Sequence, residues 1–87
     1  MASGWTLYLL ECADGSLYTG ITNDLDRRYA KHVAGKGGRY TRSHPPLRIV
    51  ARKEFPDRSS ASTAEYQVKR LDVEGKRAFC RAHPYPA

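Results

Sequence analysis

The strongest constraint on this chain is a hairpin followed at once by a helix, Trp5 to His32. Two strand-like runs, WTLYLLEC (Trp5–Cys12) and LYTGIT (Leu17–Thr22), flank Asp14-Gly15. The first run is apolar on both parities, which fits a central strand covered on both faces. The turn decides what each side chain meets, because a one-residue slip flips every residue to the other face. A two-residue turn at Asp14-Gly15 pairs Cys12 with Leu17 and sends Tyr8 and Tyr18 to opposite faces. A three-residue turn over Ala13, Asp14 and a left-handed Gly15 pairs Cys12 with Ser16, sets Tyr8 against Gly20 and puts both tyrosines on one face. The three-residue turn is the expected register.

Asn23 or Asp24 caps the next helix, with Asp24 and Asp26 in its first turn where the dipole favours acid. That helix runs to about Ala34 and stops at Gly35. Leu25, Tyr29 and Val33 form the row expected to face the sheet, and Arg28 and His32 form a second row beside it. Gly35–Pro46 reads as a loop, with basic Lys36, Arg39 and Arg42 (and Arg48 just beyond) interleaved with Tyr40 and His44. Leu47–Phe55 is the third strand, with Leu47, Ile49 and Ala51 alternating on its apolar side. Ser59 or Ser60 starts a helix whose apolar stripe is Ala61, Ala64, Val68 and Leu71. Gly75 interrupts or kinks the chain, Lys76–Ala82 forms a short last helix resting on Phe79, and the tail from His83 is expected to be loose.

The order β-β-α-β-α-α predicts an α+β fold: a small, three-stranded, mainly antiparallel sheet flanked by helices. At 87 residues with 40% hydrophobic content, one domain over residues 1–87 is expected, its core spanning about 5–82. Fifteen Lys and Arg against nine Asp and Glu give a net charge of +6, which suits a polyanionic partner, nucleic acid first, or simply a basic surface. Cys12 and Cys80 have no metal-ligand spacing and read as reduced residues in or near the core. No apolar run approaches membrane-span length and no secretory leader is evident, so a soluble, cytoplasmic protein is expected.

The chemistry-bearing residues each admit two readings. Tyr8 and Tyr18 are ordinary aromatic strand residues, or one is a general base whose pKa is pulled down from about 10 by a nearby cation such as Arg28. Gly20 inside a strand marks a bulge or a close approach by a ligand or another backbone. Arg28 is a solvated helix residue, or a guanidinium placed to stabilise a phosphoryl group. His32 is a satisfied structural histidine, or a proton carrier or phosphate donor. Glu65 lies at the margin of an apolar stripe. It either pairs with Lys69 one turn on or holds a hard divalent cation that completes its shell with water and phosphate.

Taken in order, these residues resemble a GIY-YIG nuclease domain, and closely the small single-domain YhbQ-like (UPF0213-type) group. The first motif falls on Thr6-Leu7-Tyr8 and the second on Tyr18-Thr19-Gly20. The family arginine falls on Arg28, its frequent histidine on His32 and its metal-binding acid on Glu65, followed by Lys69. The loop GKGGRYT matches at Tyr40 and Thr41. Only the tyrosine of the first motif is kept, and the asparagine that many relatives carry late in the domain has no match.

The resemblance implies hydrolysis of DNA phosphodiester bonds by an endonuclease, structure-selective or weakly sequence-specific, in DNA repair or recombination. Tyr8, Tyr18, Arg28, His32 and Glu65 would be catalytic, with one Mg²⁺ or Mn²⁺ on Glu65 and no small-molecule cofactor. Either tyrosine would activate the attacking water. Gly20, Lys36, Arg39, Tyr40, Arg42 and Lys69 would bind the DNA. The alternative is a catalytically silent nucleic-acid-binding module using the same basic face.

Overall fold

The hairpin turn closes as the register argument requires. The computed structural model describes residues 4–86. Gly15 adopts φ +86°, the left-handed region that suits glycine, and the Cys12 amide donates to the Ser16 carbonyl at 2.9 Å. Strands β1 (Trp5–Cys12) and β2 (Leu17–Thr22) pair antiparallel with Tyr8 opposite Gly20 and Leu10 opposite Tyr18. The third strand, β3 (Pro46–Phe55), lies antiparallel on the other side, giving the order β2-β1-β3. Because β1 is central, its two parities serve two cores. Leu7 and Leu9 pack with Ala51 and Val68 on one face, and Tyr8 and Leu10 pack with Leu25 and Ile49 on the other.

The four helices are α1 (Leu25–Val33), α2 (Arg39–Ser43), α3 (Arg58–Lys69) and α4 (Val73–Ala82). The expected order holds, with α2 added between α1 and β3. The Gly35–Pro46 segment is therefore not all loop: Arg39–Ser43 makes one short helix, whose Thr41 is buried. Asp24 caps α1, its carboxylate accepting from the Arg27 amide. Leu25 and Tyr29 face the sheet, but Val33 is 59% exposed, and His32 takes the buried place in the last turn.

Four further expectations are corrected, three of them by Asx caps and a bulge. Helix α3 begins at Arg58, ahead of Ser59 and Ser60, because Asp57 accepts from the Ser60 amide. Leu71 lies beyond its end and is exposed, so the stripe is Ala61, Ala64 and Val68. Helix α4 starts at Val73 and runs through Gly75, because the Gly75 amide is the donor that Asp72 caps. In β3, Ile49 pairs with Leu10 while Ala51 pairs with Leu9, so Val50 is an extra residue. That bulge puts Ile49 and Ala51 on opposite faces, and Leu47 is exposed.

The tail is held, not loose. At the bulge, the Arg52 amide donates to the His83 carbonyl at 3.0 Å and the Tyr85 amide to the Val50 carbonyl at 3.3 Å. Pro84 bridges Ala51, and Tyr85 packs on the Tyr8 core. Chain from α4 thus wraps the outer edge of β3 to reach the opposite face. Ala87 and the lead-in before Gly4 lie outside the described residues. No helix among them is long and apolar enough to cross a membrane. Truncating Tyr85 to alanine should cost about 1–2 kcal/mol of stability, since a half-buried aromatic loses part of its transfer term. A urea titration that leaves the Tyr85→Ala midpoint unchanged would show a tail that does not contribute.

Candidate active site

The hairpin register sets the first contact of the site. Tyr8 lies across the strand from Gly20, and a Cβ added at Gly20 would meet the Tyr8 hydroxyl at 2.5 Å. The close approach that a strand glycine signals is therefore made by the Tyr8 ring itself. Opposite that ring stands His32, from the last turn of α1. Tyr8 Oη and His32 Nε2 are 3.0 Å apart, and His32 Nδ1 and Thr41 Oγ1 are 2.7 Å apart. All three side chains are nearly sealed from solvent, at 2%, 1% and 2% exposure. Gly37 closes the pocket over the imidazole: a Cβ there would overlap Nδ1, so only glycine lets the chain pass.

Around this buried line lies a layer of partly open aromatic rings. Tyr18 meets the His32 ring edge-on at 5.2 Å and stacks on Tyr40 at 5.6 Å, and Tyr40 stacks on His44 at 4.2 Å. The His44 Nδ1–H donates to the Tyr40 carbonyl, while its Nε2 lies 3.5 Å from Asp14 Oδ2. Helix α2 thereby docks on the hairpin turn through stacking and hydrogen bonds. Lys36, Arg39 and Arg42 are exposed around it.

The electrostatics correct one expectation. One of the two readings of the tyrosines had Arg28 pull a phenol's pKa down far enough to make it a base. At Tyr8, burial and then Tyr18 push the phenol well above its ordinary value, and Arg28 opposes them without prevailing. The Tyr8 hydroxyl is therefore a protonated phenol at neutral pH. His32 is shifted the other way: burial first, then the Arg28 guanidinium, hold its pKa below the usual value, so the ring is neutral. Tyr8 also feels the charge of Glu65, which comes from α3 on the opposite face of the sheet, where that helix packs on β1 and β2.

Arg28 itself is solvent-exposed and lines an open cleft of about 550 Å³ with Arg27, Lys31, Thr22, Asn23 and Asp24. Arg27 and Lys31 were not singled out by sequence, because nothing local separates them from other surface cations. Thr41 was seen only as part of the family loop, and Gly37 not at all. Glu65 is half-buried, with its Oε2 3.3 Å from Lys69 Nζ. No group of three or more His, Cys, Asp or Glu that could hold a metal ion exists among the described residues. A lone, partly buried carboxylate still fits a hard cation that keeps most of its waters. The hydrogen-bonded and stacked residues are thus Tyr8, Tyr18, His32, Tyr40, Thr41 and His44. Arg28 and Glu65 act on Tyr8 through their fields, and Lys69 is held by Glu65.

The family model described as the GIY-YIG catalytic domain covers residues 4–77, and this chain belongs to that family, a family of nucleases. Within it, the similarity runs to proteins named UPF0213. A UPF0213 protein of Cupriavidus necator is 51% identical over 82 residues, spanning 94% of this chain and 89% of that one. One from Xanthomonas axonopodis pv. citri is 52% identical over 80 residues, spanning 92% and 78%. The solution NMR structure of the UPF0213 protein BH0048 from Bacillus halodurans superposes with TM-score 0.61 at 44% identity, covering 95% of this chain and 88% of that one. That of EF2693 from E. faecalis gives 0.63 at 33% identity, covering 91% and 84%.

The depressed His32 pKa has a consequence for stability. Above about pH 6.5 the ring is neutral in the folded and unfolded chains alike, and its burial costs no proton. As pH falls below that value the unfolded chain protonates first, so stability is lost toward the lower folded pKa. The urea midpoint should therefore drop between about pH 7.5 and about pH 5.5, and drop less in His32→Gln. Equal drops in the two proteins would mean that His32 is not the responsible group.

Proposed function

We propose that the chain is a divalent-metal-dependent DNA endonuclease, structure-selective or weakly sequence-specific, in which Tyr8 relays a proton from water to His32. The observation that carries this reading is the 3.0 Å contact between Tyr8 Oη and a neutral His32 Nε2. A phenol held protonated by burial is no base by itself. It becomes one by releasing its own proton to an adjacent acceptor as it takes another. Water loses a proton to the Tyr8 oxygen while the phenolic proton passes to His32 Nε2. The hydroxide oxygen bonds to phosphorus, and the bond to the leaving sugar oxygen breaks. That oxygen takes a proton from solvent, and His32 later gives up its extra proton.

Arg28 stabilises the charge that builds on the phosphoryl oxygens, as a planar guanidinium does well. Tyr18, beside the His32 ring, donates to the substrate phosphate. Lys36, Arg39, Arg42 and Lys69 neutralise flanking phosphates, the exposed part of Tyr40 contacts the DNA strand, and Gly20 makes room for the Tyr8 ring. Glu65 would hold one Mg²⁺ or Mn²⁺, which when bound polarises a phosphoryl oxygen. A role in DNA repair or recombination and a cytoplasmic location accord with this chemistry. The ion pair between Glu65 and Lys69 favours the alternative of a catalytically silent nucleic-acid-binding module, because it occupies the carboxylate.

Incubation with branched, nicked and single-stranded DNA separates the two. Cleavage should require Mn²⁺ or Mg²⁺, stop with chelator, and fall by about 10²–10³-fold in Arg28→Ala, with loss also in Glu65→Ala. Binding without cleavage in every metal would leave the silent module standing. Replacing Lys36, Arg39 and Arg42 together should flatten the dependence of log affinity on log salt by up to about 3, at about 0.9 per duplex phosphate contact. An unchanged slope would remove these cations from the interface.

A further inference from the structure

The line Tyr8–His32–Thr41 can run in two directions. A neutral imidazole donates from one nitrogen and accepts at the other. If Nε2 carries the proton, it donates to the Tyr8 oxygen and the Thr41 hydroxyl donates to Nδ1. If Nδ1 carries it, Nδ1–H donates to Thr41 Oγ1 and Nε2 accepts from the Tyr8 O–H. Only the second direction leaves Nε2 able to take a proton from Tyr8.

One physical difference separates the directions. Among the described residues, the Tyr8 and Thr41 hydroxyls each have His32 as their one hydrogen-bond partner, and both residues are about equally buried. Only one of the two hydroxyl protons can be donated to the neutral ring, and the other is left without that acceptor. Phenol is the more acidic O–H of the two, and so the better donor to an imidazole nitrogen.

We infer that Thr41 is a positioning residue: by accepting from Nδ1–H it fixes His32 in the tautomer whose Nε2 receives the Tyr8 proton. This rests on the proposed nuclease reading for its catalytic meaning, but the tautomer can be read without activity. The device explains why a short helix interrupts an otherwise glycine-rich segment. Helix α2 brings the Thr41 hydroxyl to Nδ1, and Gly37 lets the backbone pass against the same nitrogen. Thr41 touches neither the Tyr8 hydroxyl nor solvent, so its effect on chemistry passes through His32 alone.

The test is a ¹⁵N-detected histidine spectrum of the free protein at neutral pH. His32 should show a protonated Nδ1 and an unprotonated Nε2. Thr41→Val, which keeps the shape and removes the acceptor, should move the ring toward the Nε2-protonated form. Thr41→Ser should restore the original pattern. In the cleavage assay kcat should fall on the order of 10²-fold in Thr41→Val with KM little changed, and recover in Thr41→Ser. A wild-type ring protonated on Nε2 overturns the inference whatever the valine variant does, including failing to fold. So does a valine variant that switches tautomer yet keeps its kcat. Absence of metal-dependent cleavage in the wild type overturns the nuclease reading instead, while the wild-type spectrum still decides the tautomer.

Discussion

The pairing of Tyr8 with Gly20 is the constraint on which the rest of the site depends. With no side chain at position 20, the Tyr8 ring lies over the β2 backbone, and its hydroxyl reaches His32. That hydrogen bond fastens α1 to the sheet, and the bond from His32 to Thr41 fastens α2 to α1. The sheet and two helices are thus joined by two buried hydrogen bonds. In a small domain with a modest core, such polar joints carry a large share of the geometry, and each is costly to leave half-made.

Sharing one central strand between two cores has a functional result. The parity of β1 that carries Leu7 and Leu9 holds α3 and α4, while the parity that carries Tyr8 and Leu10 holds α1. Tyr8 and Glu65 therefore belong to opposite faces, yet Tyr8 feels the Glu65 charge, because α3 packs on β2 and β1 at the Gly20 side of the sheet. Arg28 acts on the same hydroxyl from α1. Opposite fields from two faces meet at one oxygen that neither residue contacts directly.

Much of the architecture was legible in the order of residue types. The apolar double parity of β1, the Asp14-Gly15 turn and the Asp24 cap are local signals, and the fold obeys them. The strand alternation of β3 was misread because a bulge at Val50 is invisible in composition: any apolar run can hide one extra residue. The starts of α3 and α4 were misplaced by one to three positions because Asp57 and Asp72 cap from just outside the periodic stripe. The looseness expected of the tail failed for a non-local reason. Unpaired groups on the outer edge of β3 were available, and residues 83–85 pair with them.

The sequence by itself determined the hairpin register, the central place of β1, the presence of Tyr8 and Tyr18 on one face, and the family. These follow from turn chemistry and side-chain periodicity, which act over a few residues. Only the tertiary structure decided that His32 is buried and neutral, that Thr41 and Gly37 enclose it, and that burial outweighs Arg28 at the Tyr8 hydroxyl. Those outcomes depend on desolvation and on hydrogen bonds between segments far apart in the chain. No local pattern encodes how deeply a ring is buried or which nitrogen finds a partner. The hairpin supplied the phenol, and packing decided where its proton can go.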